Sequence, residues 1–268
     1  MFEPLFMRLA LAASIATGAS LGIIGVYLII RRMVFFGLVL ANVATVGAAI
    51  AQALGWAPEG PSLAAAIGAA LVLGGTGAST WVSPESVMGW AYAAASSATV
   101  LILALAPGGS TDTYHLLFGN VLTVDTFHVG VLSLIAAATL LCQILFGRRF
   151  LLVTFDAQAA SVAGVNARGW SLLLYLLTGV AVATAVDHIG VLSTFALLTL
   201  PSTAALLQTR SMRVTFVIAA GLGVAMSSLA LVVSYKLDLP AGPTTVALLS
   251  LAVPVAGMRK WMAAIAWR

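Results

Sequence analysis

The sequence predicts an all-α, polytopic membrane protein with about nine transmembrane helices. Hydrophobic residues make up 62% of the 268 residues and charged residues only 7%, whereas a soluble domain carries about 25% charged residues. The mean hydropathy is +1.11. Because the chain has too little polar surface to cover a water-soluble globule, most of it must face lipid. The apolar runs are long and the cations stand at their ends, which is the pattern of membrane topology.

The chain has nine apolar runs that we interpret as membrane spans, or eight if one of them does not cross. Arg31 and Arg32 stop the first run, which continues too far to be the apolar region of a signal peptide. Ser83, Pro84 and Glu85 form a typical helix start, with an N-cap serine and a proline at the first helical position. The predicted spans cover residues 9–30, 35–54, 63–80, 84–106, 127–146, 170–186, 190–208, 214–235 and 244–258.

Two segments between the spans and one proline inside a span depart from the regular pattern. Residues 56–62 contain two prolines and one acid, so we expect an external turn there. Residues 107–126 are too polar at their ends and too rich in glycine for a span, so a re-entrant or external segment fits better. Pro201 stands inside the seventh span and should kink it.

The cations predict that the N-terminus lies outside and the C-terminus lies in the cytoplasm. With nine spans, two of the twelve Lys and Arg residues, Arg8 and Lys236, fall outside, and the other ten fall inside. This excess of cytoplasmic cations is the positive-inside pattern. Merging or splitting one span would reverse the later loops and remove the bias. We therefore treat residues 1–268 as one multi-pass transmembrane domain.

Residues 148–168 carry several cations between two apolar runs and are predicted to lie in the cytoplasm. Their middle, residues 156–165, can form one short amphipathic helix, with two alanines and a valine toward the membrane. Asp156, Gln158 and Asn166 would then be available to water. A helix of this kind is a natural contact for a soluble partner. From position alone, an ordinary interfacial connector is the simpler interpretation, since amphipathic helices at interfaces are common.

Polar groups at or near membrane depth are the first functional candidates, since they are costly there. Asp187 and His188 adjoin at the end of the sixth span, and His115 and His128 also fall near the predicted outer side. Carboxylates and imidazoles bind metals, but adjacent helix residues point in different directions, so ordinary hydrogen bonds are the simpler interpretation. Asn42 inside the second span needs a partner, and an interhelical hydrogen bond is the simplest one.

No enzyme motif is present in the chain. It lacks HExxH and a P-loop, and no GxSxG stands at a strand-to-helix elbow, so we expect a non-enzymatic subunit that does not hydrolyse ATP itself. The single cysteine, Cys142, excludes an internal disulfide, and no Cys/His zinc spacing exists. The cations are not clustered as in a nucleic-acid patch. We therefore expect the chain to be surrounded by lipid and to have no nucleic-acid partner.

Five stretches, in order along nearly the whole chain, resemble the ABC-3 metal permease family, the membrane subunits of ABC importers for zinc, manganese and iron. Each stretch alone is a weak signal, whereas all five in the same order are a strong one. The stretches are GIIGVYLIIRRMVFFG (22–37), STDTYHLLFGNVLTV (110–124), TFDAQAASVAGV (154–165), IGVLSTFALLTLPSTAALL (189–207) and LDLPAGPTTVALLS (237–250).

The resemblance implies an ATP-driven importer in the bacterial plasma (inner) membrane that works by alternating access at the interface of a permease homodimer. It implies two ATP-binding subunits, which would hold ATP and magnesium, and an extracellular or periplasmic solute-binding protein. This chain itself would carry no cofactor. Residues 148–168 would be the segment that couples to the ATPase, with Phe155, Asp156 and Gly164 at the family's positions.

One departure from the family concerns the substrate. The family usually has Gly-Asp-Ala-x-Ser-His-Ala at the start of its second span, and its Asp and His are the expected metal ligands in the translocation path. Leu38 stands at the position of that Asp, and Asn42 at that of the His. Leucine cannot ligate a metal, and a neutral amide is a weak donor for a transition metal. A zinc, manganese or iron ion or its chelate stays the expected substrate, with metal selectivity relaxed, lost or supplied by other candidate ligands, and a substrate of another kind stays open. These candidates are Asp187, His188 and His115.

Two alternatives to an importer subunit stay open. A stand-alone secondary carrier or channel would need substrate or coupling-ion groups at mid-membrane, and Asn42 is a poor candidate for one. The other alternative is a non-transporting membrane component that has kept the fold. Neighbouring genes for an ATPase and a binding protein would favour the importer over both.

Overall fold

The computed structural model describes residues 5–75, 82–105 and 126–266, and these residues are helical apart from short connections. The all-α prediction is therefore confirmed for this part of the chain. The segment predicted to be re-entrant or external falls almost entirely on residues 106–125, which lie outside the described residues. The helices are α1 (Leu5–Ile30), α2 (Val34–Ala53), α3 (Glu59–Gly75), α4 (Pro84–Leu105), α5 (Thr126–Phe155), α6 (Ala157–Val162), α7 (Ala167–Gln208), α8 (Met212–Leu237) and α9 (Ala241–Ala266).

The long helix α7 folds back on itself at Gly190, where φ is 79° and ψ is 164°. Phe36 and Gly37 are neighbours in α2, yet Phe36 packs on the Tyr175 ring with centroids 5.0 Å apart and Gly37 packs on the side chain of Leu198. In a straight helix, Tyr175 and Leu198 would lie about 35 Å apart. The chain must therefore reverse between them. We call the two halves α7a (residues 167–189) and α7b (residues 191–208).

The described residues form nine apolar helical segments, as the sequence predicts. Seven helices in the described ranges are long and apolar enough to cross a membrane. One of these is α7, which supplies two segments, and α3 adds a shorter apolar helix of 17 residues. Pro201 lies inside α7b without a break in the helical backbone, whose non-helical residue inside α7 is Gly190, and the kink at Pro201 stays a prediction.

The two ends of the helix bundle carry different polar groups. The Arg31 end comprises the ends of α1, α3 and α5 and the starts of α2 and α7; it is defined by Arg31, Gly74, Thr154 and Tyr175. The Asp187 end comprises the starts of α3 and α5 and the end of α7a; it is defined by Ser62, His128, Asp187 and His188. The sequence predicts that the Arg31 end is cytoplasmic, and this orientation stays a prediction.

Helix α1 packs against α2, α5, α7 and α8, and its glycines allow very close contact with α8. A Cβ atom on Gly18 would lie 2.6 Å from the carbonyl oxygen of Gly223. One turn on, a Cβ atom on Gly22 would lie 2.7 Å from the carbonyl oxygen of Ala219. Small residues spaced four apart permit such backbone contact in membrane helices. The glycine spacing in the first span predicts this arrangement.

The helix of the fifth span continues past the predicted end of that span. α5 continues to Phe155, nine residues beyond the predicted end at residue 146. Its extension is held against other helices because Phe150 is buried, 2% exposed, and packs on the Trp170 ring with centroids 5.5 Å apart. The guanidinium of Arg149 lies over the same ring, 5.1 Å from its centroid. The arginine pair therefore lies within the helix and does not end it.

The start of α3 also differs from the prediction. α3 begins at Glu59, four residues before the predicted start, with Glu59 as an acid in its first turn. Acids are favourable there because of the helix dipole, and Pro61 is tolerated so close to a helix start. The predicted start of α4 is confirmed, since the backbone N–H of Ser86 donates to Ser83 Oγ at 3.2 Å. Residues 76–80 of the predicted third span lie outside the described residues.

Replacing Gly223 by alanine should destabilise the bundle, because the new Cβ atom would collide with the Gly18 backbone. We expect the free energy of unfolding to fall by about 1–3 kcal/mol, seen as a lower midpoint of thermal denaturation in detergent. Gly221 is the matched control, since a Cβ atom there meets nothing within 4 Å. Gly221→Ala should leave the midpoint unchanged or raise it slightly. Equal midpoints for the two variants would contradict the close contact.

Candidate functional site

Leu38 and Asn42, the two positions singled out in the second span, lie one turn apart on α2. Leu38 is half-buried and packs against the main apolar cluster. Asn42 is 5% exposed, and both ends of its carboxamide are engaged. Its Nδ2 donates to the carbonyl oxygen of Leu38 at 2.9 Å, and its Oδ1 accepts from Ser96 Oγ on α4 at 2.9 Å. The interhelical hydrogen bond expected for Asn42 is therefore confirmed.

A second polar contact joins α2 to α4 one turn further on. Thr45 Oγ1 lies 2.7 Å from the carbonyl oxygen of Asn42, to which it donates, and 3.2 Å from Thr99 Oγ1. The pairs Asn42–Ser96 and Thr45–Thr99 advance along both helices together, so α2 and α4 run parallel. Sequence reasoning missed Ser96 and Thr99, because only the rotation of α4 about its axis brings these two hydroxyls to α2.

Asp187 and His188 point to different neighbours, as expected for adjacent residues on a helix. Ser62 Oγ on α3 donates to Asp187 Oδ1 at 2.9 Å. The His188 ring lies 4.8 Å, between centroids, from the ring of His128 on α5. His128 Nε2 lies in turn 3.6 Å from Glu59 Oε1 on α3. Carboxylates and imidazoles from three helices thus meet at the Asp187 end.

These groups do not form a ready metal centre. Among the residues that the structure describes, no three His, Cys, Asp or Glu side chains are arranged to hold one metal ion. His115, the third candidate ligand, lies outside the described residues. Asp187, His188 and His115 therefore stay candidate ligands. Sequence reasoning did not connect Glu59 and Ser62 to this cluster, because it assigned residues 56–62 to an external turn.

The middle of residues 148–168 forms the short helix α6, which is shorter than the predicted helix over residues 156–165. Asp156 is its N-cap, and its Oδ1 accepts from the backbone N–H groups of Gln158 and Ala159, both at 2.9 Å. Gly164 has φ 74°, which ends the helical backbone before residue 165. Phe155, the residue before the cap, is 61% exposed. Of the three positions carried over from the family, Phe155 thus precedes α6, Asp156 caps it and Gly164 follows its end.

One face of α6 packs on the bundle and the other is open. Ala160 is fully buried, whereas Val162 is 92% exposed. A cavity of about 1470 Å³ opens beside α6 at the Arg31 end. Its walls carry three guanidinium groups and one carboxylate, from Arg31, Arg32, Arg168 and Glu85. α6 therefore presents exposed apolar and backbone surface next to a cationic cavity.

The nine apolar segments of the described residues, the polar groups paired inside the bundle and the capped short helix at one end define a multi-pass membrane protein. Residues 3–260 match the ABC 3 transport family. The chain belongs to this family, and the resemblance of the five sequence stretches is confirmed. It is a multi-pass protein of the bacterial plasma membrane.

Individual relatives agree with the family match. The chain is 28% identical over 241 residues to the manganese transport system membrane protein MntC of Listeria monocytogenes, covering 90% of this chain and 86% of the relative. It is 29% identical to MntC of Halalkalibacterium halodurans, covering 90% and 82% of the two chains. The fold matches that of PsaBC from Streptococcus pneumoniae in complex with Fab, with a TM-score of 0.84 at 23% identity, over 95% of this chain and 91% of that chain.

Replacing Ser96 by alanine should destabilise the protein, because Asn42 Oδ1 would lose its partner on α4. Interhelical hydrogen bonds in membrane proteins are worth about 0.6 kcal/mol on average and up to about 1.7 kcal/mol. We expect a loss in this range, measured by reversible unfolding in mixed micelles. Ser97→Ala is the matched control, since Ser97 is exposed on the same helix. A loss of the same size at both positions would contradict the role assigned to Ser96.

Proposed function

We propose that this chain is the membrane-spanning subunit of an ATP-driven importer for a divalent transition metal, with manganese as the substrate. The observation that carries the proposal is the similarity, along 90% of the chain, to two proteins described as manganese transport system membrane proteins. Membership of the ABC 3 transport family over residues 3–260 supports an ABC importer. Zinc, iron and chelated metal are the competing substrates.

Two copies of the chain would form the path, and two ATP-binding subunits would supply the energy. These subunits would hold ATP and magnesium, since the chain has no P-loop of its own. An external solute-binding protein would deliver the metal to the Asp187 end. ATP binding and hydrolysis would then switch the path between its two openings, as alternating access requires.

The segment of residues 148–168 would couple this chain to the ATP-binding subunits. α6 is short and capped, its residue Val162 is 92% exposed, and Phe155, just before the cap, is 61% exposed. An apolar, exposed helix fits a cleft on a soluble partner better than it fits water. The cap at Asp156 fixes the direction in which α6 leaves α5, so a push on α6 would reach α5 and α7.

The part of the translocation path that α2 lines would bind the metal only weakly. Leu38 offers no donor atom, and the carboxamide of Asn42 is already bonded to α4 and to its own helix. Oxygen and imidazole donors suit manganese, and the Asp187 end carries both. We propose that Asp187, His188 and His115 contribute to metal selectivity there. Since no three described His, Cys, Asp or Glu side chains are arranged to hold one metal ion, binding at this end would need a side-chain rearrangement or a ligand from outside the described residues, such as His115.

Manganese should stimulate ATP hydrolysis by the complete complex. The measurement is the ATPase rate of this chain co-purified in nanodiscs with the ATPase encoded beside it and the neighbouring binding protein. It is made with Mn²⁺, Zn²⁺, Fe²⁺ and chelated metal. We expect the largest stimulation with Mn²⁺. A complex that no metal stimulates would overturn the metal substrate, and failure to form a complex would favour a stand-alone carrier.

The double variant Leu38→Asp, Asn42→His restores the family's two ligands and tests the role of α2. It should lower the manganese concentration for half-maximal stimulation by about tenfold, since even the outer-shell partners of metal ligands change metal affinity by about 10–100-fold. Ser96→Ala is the control, because it breaks the same bond to α4 without adding a ligand. An unchanged concentration in the double variant would show that the metal does not pass Leu38 and Asn42.

Asp156 should act in coupling through its cap and not through its charge. Asp156→Asn keeps a capping oxygen, so metal-stimulated ATPase activity should stay within about twofold of the original. Asp156→Ala removes both hydrogen bonds to α6 and should weaken the helix by about 1 kcal/mol, which lowers the stimulation. Asp156→Arg should abolish it, because a cation is unfavourable at a helix start. Full stimulation in Asp156→Arg would show that α6 is not the coupling helix.

A further inference from the structure

Arg31, at the end of α1, bonds through all three guanidinium nitrogens to hydroxyl groups of other helices. Its Nε donates to Thr154 Oγ1 at 3.1 Å, its Nη1 to the Tyr175 hydroxyl at 2.9 Å and its Nη2 to Ser171 Oγ at 3.3 Å. The guanidinium carbon also lies 5.2 Å from the centroid of the Tyr175 ring. Three directed bonds from one planar group fix the side chain in a single orientation.

The hydroxyl partners of Arg31 lie on both sides of α6. Thr154 is near the end of α5, two residues before the cap of α6 at Asp156. Ser171 and Tyr175 lie near the start of α7, which follows α6 in the chain. The segment that enters α6 and the segment that leaves it are therefore held by the same side chain. A displacement of α6 must either move Arg31 or break these bonds.

Tyr175 continues the contacts from Arg31 to α2. Its hydroxyl donates to Met33 Sδ at 3.4 Å, and its ring packs on that of Phe36 with centroids 5.0 Å apart. Phe36 is fully buried and lies six residues before Asn42 on the same helix, about 9 Å along its axis. Contacts thus run without a gap from the flanks of α6, through Arg31 and Tyr175, to the helix of the proposed path.

The chemistry of these contacts suits a connection that changes between two states. Among the described residues, the carboxylate that lies at salt-bridge distance from a basic side chain is that of Glu59, and its partner is His128 and not Arg31. The guanidinium of Arg31 is therefore satisfied by neutral hydroxyls. A guanidinium held by hydroxyls can exchange one of them for water or another hydroxyl, whereas breaking a buried ion pair leaves an uncompensated charge.

We propose that Arg31 is the positioning residue that transmits a displacement of α6 to α2. The guanidinium keeps the end of α5, the start of α7 and the start of α2 in one unit, so that a push on α6 reorients α2. This inference rests on the proposed function, since it assumes that an ATP-binding subunit moves α6. Arg31 would then do more than orient the chain in the membrane, which is the usual role of a cytoplasmic cation.

The test follows α2 directly and does not depend on which metal is carried. Cys142 is replaced by serine and Leu38 by cysteine, so that a maleimide reports the accessibility of α2. The complex with the neighbouring ATPase is placed in nanodiscs, and the labelling rate is measured with and without ATP and magnesium. We expect ATP to change the rate by about tenfold, a modest population shift.

Arg31→Gln should reduce this ATP-dependent change to less than about twofold, while ATP hydrolysis stays within about twofold of the original. Arg32→Gln is the matched control, because it removes the same charge from an exposed neighbour, and it should keep the full change. Arg31→Lys keeps the charge without the three-way fork, so it should behave like Arg31→Gln. A merely structural role would lower complex yield and ATP hydrolysis together.

An unchanged ATP-dependent labelling in Arg31→Gln overturns the inference, and so does an equal loss in Arg32→Gln. If Arg31→Gln prevents assembly, the double variant Thr154→Val, Ser171→Ala decides, because it removes two partners and keeps the arginine. Retention of the full change in that variant would also overturn the inference. The proposed function fails in a different way, since the parent complex would then not form or would not respond to ATP.

Discussion

Helix α1 is held in place because its glycines let two other backbones touch it. Gly18 and Gly22 meet α8, and a Cβ atom on Gly25 would collide with the carbonyl oxygen of Leu198 on α7b. Lipid supplies little hydrophobic drive for helices to associate, so such contacts and short hydrogen bonds hold the bundle. One such bond runs from Ser202 Oγ on α7b to the carbonyl oxygen of Gly22, at 2.9 Å. Because α1 is fixed along its length, its last residues have a defined position, and Arg31 can reach α5 and α7 from there.

The helices could be predicted from the sequence because the signals for them are local. Long apolar runs, cations at their ends and the cap at Ser83 gave nine segments, and the gap between the sixth and seventh spans predicted the reversal that Gly190 makes. The end of α5 could not be predicted in the same way. The charges of Arg148 and Arg149 look like a boundary, and only the contact of Arg149 with Trp170, two helices on, shows that the helix continues.

The site was less predictable than the fold because its contacts join residues far apart in the chain. Asn42 was expected to find a partner, but nothing in the sequence selects Ser96, 54 residues away. Arg31 looks like one more cytoplasmic cation, and its bond to the Tyr175 hydroxyl spans 144 residues. The short helix within residues 148–168 was the exception, since the residues that form it are neighbours in sequence, although its cap at Asp156 was not predicted. Long-range pairing depends on how each helix is rotated, and hydropathy does not contain that information.

If Leu38 and Asn42 stand at two ligand positions of the family, as the resemblance implies, their replacement changes what α2 does in the bundle. A carboxylate and an imidazole at membrane depth are costly unless they are paired or face water, and Leu38 and Asn42 remove that cost. Asn42 and Thr45 instead bind α2 to α4, while Phe36 ties the start of α2 to α7a through Tyr175. α2 is thus attached to α4 along its middle and to the Arg31 end at its start. A helix held in this way is well placed to move as a unit with α4 and poorly equipped to select a metal. Selectivity in the proposed importer must then come from groups outside α2, and within the described residues the Asp187 end is where carboxylates and imidazoles meet.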